Sequence, residues 1–322
     1  MLMIKKWMFL IGAMGLLGTS QIHGQDAPSV MVIEAYSGKV LIASNSTQRR
    51  PIASLTKIST GVVAIDWANA SQLDLAQVMI TVPETVSRVG GPNPLQLQPG
   101  DQLSLRDALY AALLASDNLA ALSIADHVGT EILRKRGKSG EPVVAFVAEM
   151  NRLAKALGMQ QTRIGNPHGL EREGVKAYST AADVARLSIY AMRRNAFNYI
   201  VRQKDRQISV MGASGRRQFV VRNTNELIQQ KGVLGVKTGT TEAAGPCLSV
   251  CMDRDPLLRT KPDGTKGVTP RRLIVVVLNQ PDRFSRARGL LTEGWDTYDA
   301  WLAAGAPVKD RKREIISVPM LE

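Results

Sequence analysis

Apolar residues follow two different periods along this chain. Near the two ends they crowd into short β-branched runs. Residues 29–36 and 39–43 flank Ser37-Gly38 and predict a β-hairpin. Residues 233–237, 245–252 and 273–278 predict three more strands. Between these ends, spacings of three and four predict helices over 54–67, 105–114, 118–127, 142–157 and 181–192. Thr180 is placed to cap the last of these, and 282–304 reads as a closing helix. Strands at both ends with helices inserted predict one sheet built from both termini beside a helical lobe. A cleft then falls where sheet meets lobe. Two loops stand out. Residues 254–272, rich in Pro, Gly, Thr and Lys, predict a long mobile connection between two strands. Residues 89–100 carry Gly90-Gly91-Pro92-Asn93-Pro94, just before a helix pair.

The first 24 residues change where this fold belongs. Lys5 and Lys6 precede a short apolar stretch over 7–18, followed by small residues that allow cleavage after Ser20 or Gly24. That is a secretory signal, too short to span a bilayer, which takes about 20 residues. No cysteine lies near it, so lipid attachment there is excluded. The expected organisation is a signal peptide over 1–24, one catalytic domain over 25–304 and a short basic tail over 305–322. The protein is expected in the periplasm or cell-wall space. Its net charge of +13 draws on Arg134-Lys135-Arg136-Gly137-Lys138, Arg193-Arg194 and 309–313. For an exported protein the matching anions are wall polymers and acidic lipid headgroups. No nucleic-acid motif is present.

Cys247 and Cys251 are the only cysteines. Four residues of strand span about 13 Å, beyond the reach of a disulfide, so both are expected as buried thiols.

Three short motifs carry the chemistry: Ser54-Leu55-Thr56-Lys57, Ser116-Asp117-Asn118 and Lys237-Thr238-Gly239. Each is weak alone; together, in this order, they mark a serine acyl-transferase whose base is a lysine. Lys57 lies one helical turn after Ser54, so its amine can reach the hydroxyl. A lysine acts as base only when burial or a neighbouring cation lowers its pKa, and Lys237 is a candidate neighbour. Ser116 is the candidate proton shuttle to the leaving amine, and Asn118 the partner of the substrate's peptide. Asp117 is read as structural. Lys237, Thr238 and Thr240 suit a substrate carboxylate, and Gly239 lets substrate lie against the strand. The backbone N–H groups of Ser54 and Thr240 are the candidate oxyanion donors.

With Pro51-Ile52-Ala53 before Ser54, Asn166-Pro167-His168-Gly169-Leu170, Asn223-Thr224-Asn225 and Gly235 to Thr241, the chain resembles a family. That family is the serine D-alanyl-D-alanine carboxypeptidases, which are low-molecular-mass penicillin-binding proteins. The resemblance covers about 27–304. It implies a five-stranded antiparallel sheet with helices on both faces, beside a mostly helical lobe. It also implies acylation of Ser54 by peptidoglycan stem peptides, loss of the terminal D-alanine, then hydrolysis. Penicillins and other β-lactams would acylate the same serine. An arginine after the last strand helps hold the carboxylate in the family, and Arg283 is the expected counterpart, ahead of Arg286 and Arg288. Many members add a β-rich domain and an amphipathic anchor. Here 305–322 follows the core, and Ile315-Ile316-Ser317-Val318 offers at most weak peripheral membrane contact.

Other chemistries fit less well. His127 ends a helix and His168 sits in a loop, so neither is expected beside Ser54. No HExxH or cysteine pattern calls for a metal or other cofactor. A class A β-lactamase needs a Glu-x-x-Leu-Asn segment, which Glu171-Arg172-Glu173-Gly174 does not supply. D,D-endopeptidase cleavage of cross-links uses the same chemistry and stays open. An inactive wall-binding protein is the remaining alternative, against which all the catalytic side chains are present.

Overall fold

In a computed structural model of the protein, the residues described are 27–171, 173–260 and 264–321. The signal peptide expected over 1–24 lies outside them. The chain opens with β1 (Ser29–Glu34) and β2 (Val40–Ser44), then α1 (Lys57–Ala70), β3 (Met79–Thr81) and β4 (Gln102–Ser104). Five helices follow: α2 (Leu105–Leu113), α3 (Asn118–Lys135), α4 (Pro142–Ala156), α5 (Ala181–Met192) and α6 (Asn195–Val201). Next come β5 (Asp205–Gly212), β6 (Gly215–Arg222), β7 (Val233–Thr241), β8 (Gly245–Thr260) and β9 (Lys266–Leu278). The last long element is α7 (Arg283–Ala303).

The expected five-stranded antiparallel sheet is present, in the order β2-β1-β9-β8-β7. β1 pairs with β9 from Ser29↔Leu278 to Glu34↔Leu273, so both ends of the chain build one sheet. Its strands alternate between two cores, as a period of two requires. Met31, Ile33, Ile274 and Val276 face the helical side, where α5 crosses β1, β8 and β9. Val30, Val32, Val275 and Val277 face Leu290, Trp295 and Tyr298 of α7. Burial on both faces is why β9 carries the unbroken run Leu273-Ile274-Val275-Val276-Val277-Leu278. Each such side chain, fully buried, contributes about 1.5–3 kcal/mol. Gly294 lets α7 lie close, because a Cβ there would come within 2.7 Å of Val32 Cγ1.

Four departures from the expected elements stand out. A second sheet, in the order β3-β4-β5-β6, was not foreseen. Two of its strands have three residues each, and the β5–β6 hairpin turns on Ala213-Ser214, without the Asn-Gly or Asp-Gly of a tight-turn signal. The connection expected over 254–272 is instead largely ladder, with Leu257↔Thr269 through Thr260↔Lys266 in register. Pro256 and Pro270 sit at the bulge beside Arg254, where a missing N–H breaks no regular pair. The helix expected at 54–67 begins only at Lys57, after a 3-10 turn over Ala53–Thr56. The helix expected to stop at His127 runs on to Lys135.

Cys247 and Cys251 are free and buried, as expected, and burial raises their thiols to about 11 and about 12. Within 315–318, part of the apolar surface packs onto the domain. Ile316 is buried in the main core, and its N–H donates to Gly38 O at 2.8 Å. Its apolar surface is therefore used within the domain. No helix of the described residues is long and apolar enough to cross a membrane.

Candidate active site

The 3-10 turn over Ala53–Thr56 places Ser54 and Lys57 on one side, because positions three apart eclipse in that geometry. Lys57 Nζ lies 2.9 Å from Ser54 Oγ, 2.6 Å from Asn118 Oδ1 and 2.9 Å from His168 O. The lysine is fully buried. Burial pulls its pKa well below the usual lysine value and the charge of Lys237 adds to this, while Asp117 opposes. Two of its three neighbours, a carbonyl and an amide oxygen, can only accept. A neutral amine therefore commits its two hydrogens to Asn118 and His168. Its lone pair is left facing the Ser54 hydroxyl, the orientation a general base needs.

Asn118 is held by its own element. Asp117 caps α3 by accepting from Ala120 N at 2.9 Å, and it is buried, with its carboxyl raised mainly by that burial. Asn118 Nδ2 donates to Gly90 O at 2.9 Å and its backbone N–H to Pro92 O at 3.0 Å, which seats the 89–100 loop over the site. One amide hydrogen of Asn118 remains for a ligand. Ser116 occupies a left-handed turn, with φ of 62°, and its hydroxyl makes no hydrogen bond among the described residues.

Lys237-Thr238-Gly239-Thr240 lies inside β7, which runs on to Thr241 rather than stopping at the expected Lys237. β7 is the sheet's edge strand, so one row of its backbone groups is available to an extended peptide. A Cβ on Gly239 would sit 2.9 Å from Ser54 N, so the strand rests directly on the nucleophile's turn. Lys237 is buried and donates to Thr238 O at 3.1 Å. Burial, helped by Arg283, brings its pKa down to about 7. Arg283, the first residue of α7, donates to Gly239 O at 2.9 Å and to Thr240 Oγ1 at 2.7 Å. Arg286 instead approaches Glu293 at 4.0 Å, and Arg288 is exposed. Beside Arg283 an open cavity of about 310 Å³ is lined by Thr240, Pro246 and Phe284.

Sequence reasoning missed one participant. The carbonyl of His168 holds Lys57, and nothing about a histidine side chain announces that. Asn166 shapes the segment, its Oδ1 accepting from His168 N at 3.2 Å and Gly169 N at 2.6 Å. Thr60 Oγ1 secures it by donating to Pro167 O at 2.6 Å. The Asn-Pro-His-Gly pattern signalled this turn but not its use. The His168 ring itself is buried, its pKa lowered to about 4, with Nδ1 accepting from Leu170 N. His127 packs edge-on against Trp67. Neither ring takes part in the Ser54 hydrogen bonds. Among the described residues, no three His, Cys, Asp or Glu side chains gather as metal ligands.

Comparison with known proteins places the chain in a family. The D-alanyl-D-alanine carboxypeptidase family model matches residues 18–257. D-alanyl-D-alanine carboxypeptidase DacF of Bacillus subtilis is 32% identical over 232 residues, which is 72% of this chain and 55% of that protein. A D-alanyl-D-alanine endopeptidase of Pseudomonas aeruginosa is 35% identical over 223 residues, covering 68% of this chain and 65% of its own length. The chain thus spans between half and two thirds of these relatives. Among solved structures, the DD-transpeptidase of Streptomyces K15 superposes with a TM-score of 0.68 at 26% identity. That match covers 83% of this chain and 96% of the other. With its family model, its relatives and its sheet all in agreement, this chain belongs to the D-alanyl-D-alanine carboxypeptidase family of peptidases.

Proposed function

We propose that the protein is a serine D,D-carboxypeptidase that removes the terminal D-alanine from peptidoglycan pentapeptides. The observation that carries this reading is the Lys57 amine, fixed by two obligate acceptors with Ser54 Oγ as its third neighbour. In this reading the stem peptide pairs with the edge of β7, and its penultimate carbonyl lies over Ser54. Ser54 Oγ attacks that carbonyl as Lys57 takes the proton. The N–H groups of Ser54 and Thr240 receive the oxyanion, each worth about 3–4 kcal/mol in the transition state. Ser116, whose hydroxyl is uncommitted, passes a proton to the departing amine. Lys237 and Arg283 hold the leaving D-alanine's carboxylate, with Thr238 beside them. Water then releases the acyl group, with Lys57 again as base. A β-lactam enters by the same attack and stays on Ser54. The substrate's location suits export by the 1–24 segment to the periplasm or wall space.

Cleavage of D,D cross-links is the second reading, favoured by the 35% identity to a protein named as an endopeptidase. Incubation with purified muropeptides and mass analysis of the products decides between them. Pentapeptides shortened by one alanine are the expected result. Dimers converted to monomers without that loss would transfer the activity to cross-links.

The acylation rate has an expected pH signature. Lys237 must be charged to attract a carboxylate, and its pKa of about 7 means it discharges above neutrality. Lys57 must be neutral, and burial favours that form. The second-order rate, which reports the free enzyme, therefore falls as pH rises through about 7. In Lys237→Arg, whose guanidinium stays charged, that limb flattens although the overall rate is lower. A wild-type limb that persists unchanged in the variant would remove Lys237 from the carboxylate site.

A further inference from the structure

Thr224, in the segment after β6, reaches two parts of the site at once. Its backbone N–H and its Oγ1 both reach Leu114 O, at 3.1 and 3.2 Å, and Leu114 stands two residues before Ser116. The same Oγ1 lies 2.6 Å from Thr238 Oγ1 in β7. The flanking asparagines fix the segment. Asn223 Nδ2 donates to Val201 O and Gln203 O, and Asn225 Oδ1 accepts from Leu227 N. Thr238 is only 4% exposed, whereas Thr224 is open to solvent.

Counting hydrogens gives this contact a direction. Each hydroxyl has one hydrogen, and a carbonyl can only accept. With Thr224 donating to Leu114 O, Thr238 must donate to Thr224, and both hydroxyl hydrogens are committed. The bond to Leu114 O is the one that can be released, because that carbonyl keeps the Thr224 N–H. A carboxylate is the stronger acceptor, since charge-assisted hydrogen bonds are shorter and roughly twice as strong.

We propose that Thr224 is a substrate-binding residue whose hydroxyl turns from the Leu114 carbonyl to the terminal carboxylate of the substrate. Thr238 donates into it from behind, which polarises the pair in one direction. This inference rests on the carboxypeptidase reading above. Lys237 and Arg283 supply charge, and the threonine pair adds selection for a group that only accepts hydrogen bonds.

The test compares two acyl donors on the full-length protein. One is an N-acyl-D-alanyl thioester of thioglycolic acid, whose leaving group ends in a carboxylate. The other is its methyl ester. Release of thiol reports acylation of Ser54 in both. Thr224→Val is expected to lower kcat/KM for the acid roughly tenfold, the worth of one hydrogen bond to a charged group. The ester should change less than twofold, and Thr224→Ser should restore the acid. An equal loss on both donors would make Thr224 merely structural, and no loss on either would take it out of the site. Failure of the underlying carboxypeptidase reading shows elsewhere, as wild-type enzyme that does not prefer the acid to the ester.

Discussion

Lys57→Met is expected to slow acylation by at least a thousandfold, near the upper part of what general base catalysis supplies. The methionine fills a similar volume but leaves Ser54 Oγ without a proton acceptor. Penicillin labelling followed by stopped-flow or mass spectrometry measures the loss. The same variant should change how stability responds to pH. In the unfolded chain this lysine titrates near its ordinary value of about 10.5, while in the fold burial and Lys237 hold its pKa well below that. Between the two values the unfolded state binds the extra proton, so wild-type stability rises with pH through that window. The window closes near pH 10.5, where the cost of keeping the amine neutral has vanished. Within it each pH step is worth about 1.4 kcal/mol, and the variant lacks this contribution. Denaturant unfolding at pH 7.5 and 9.5 should therefore show the wild type gaining more stability over that interval than Lys57→Met. Parallel pH curves would mean that Lys57 is charged in the fold and cannot be the resting base.

Gly169→Ala should cost both stability and catalysis, although the residue touches no substrate in the proposed mechanism. Gly169 has φ of 91°, and a Cβ there would stand 1.9 Å from Ala53 O. The left-handed backbone alone costs an alanine about 1–2 kcal/mol. The clash is with main chain and cannot be relieved by a rotamer. Ala53 immediately precedes the nucleophile, and His168, whose carbonyl holds Lys57, immediately precedes Gly169. Any relief displaces one of these two. A shift near 1 Å in such a site costs on the order of a hundredfold in rate. The expected result is a loss of roughly 3 kcal/mol in unfolding free energy, a strain-and-packing figure. Penicillin acylation should fall by at least a hundredfold. Full activity with unchanged stability would show that the 166–170 segment does not brace the nucleophile.

The positions of Ser54, Lys57, Asn118 and Lys237 were legible because their side-chain types are the chemistry, and their order survives folding. The sheet was legible for a related reason. A strand buried on both faces must be apolar at every position, as 273–278 is, and a six-residue run is short for a buried helix. The ladder over 254–260 and 266–272 was hidden because a ladder is made of backbone, and its prolines and glycines read as loop. The second sheet was hidden because a three-residue strand carries too few alternations to show a period.

The sequence by itself determined that a serine and a lysine three residues apart would sit beside a sheet built from both ends of the chain. It did so through local spacing and residue type, which need no knowledge of distant contacts. The tertiary structure alone decided what suits Lys57 to act as a base. Its burial, the charge of Lys237, the amide of Asn118 and the carbonyl of His168 come from four separate stretches of chain. Their joint effect depends on distance and on exclusion of water. Neither is a property of any segment before the chain has folded.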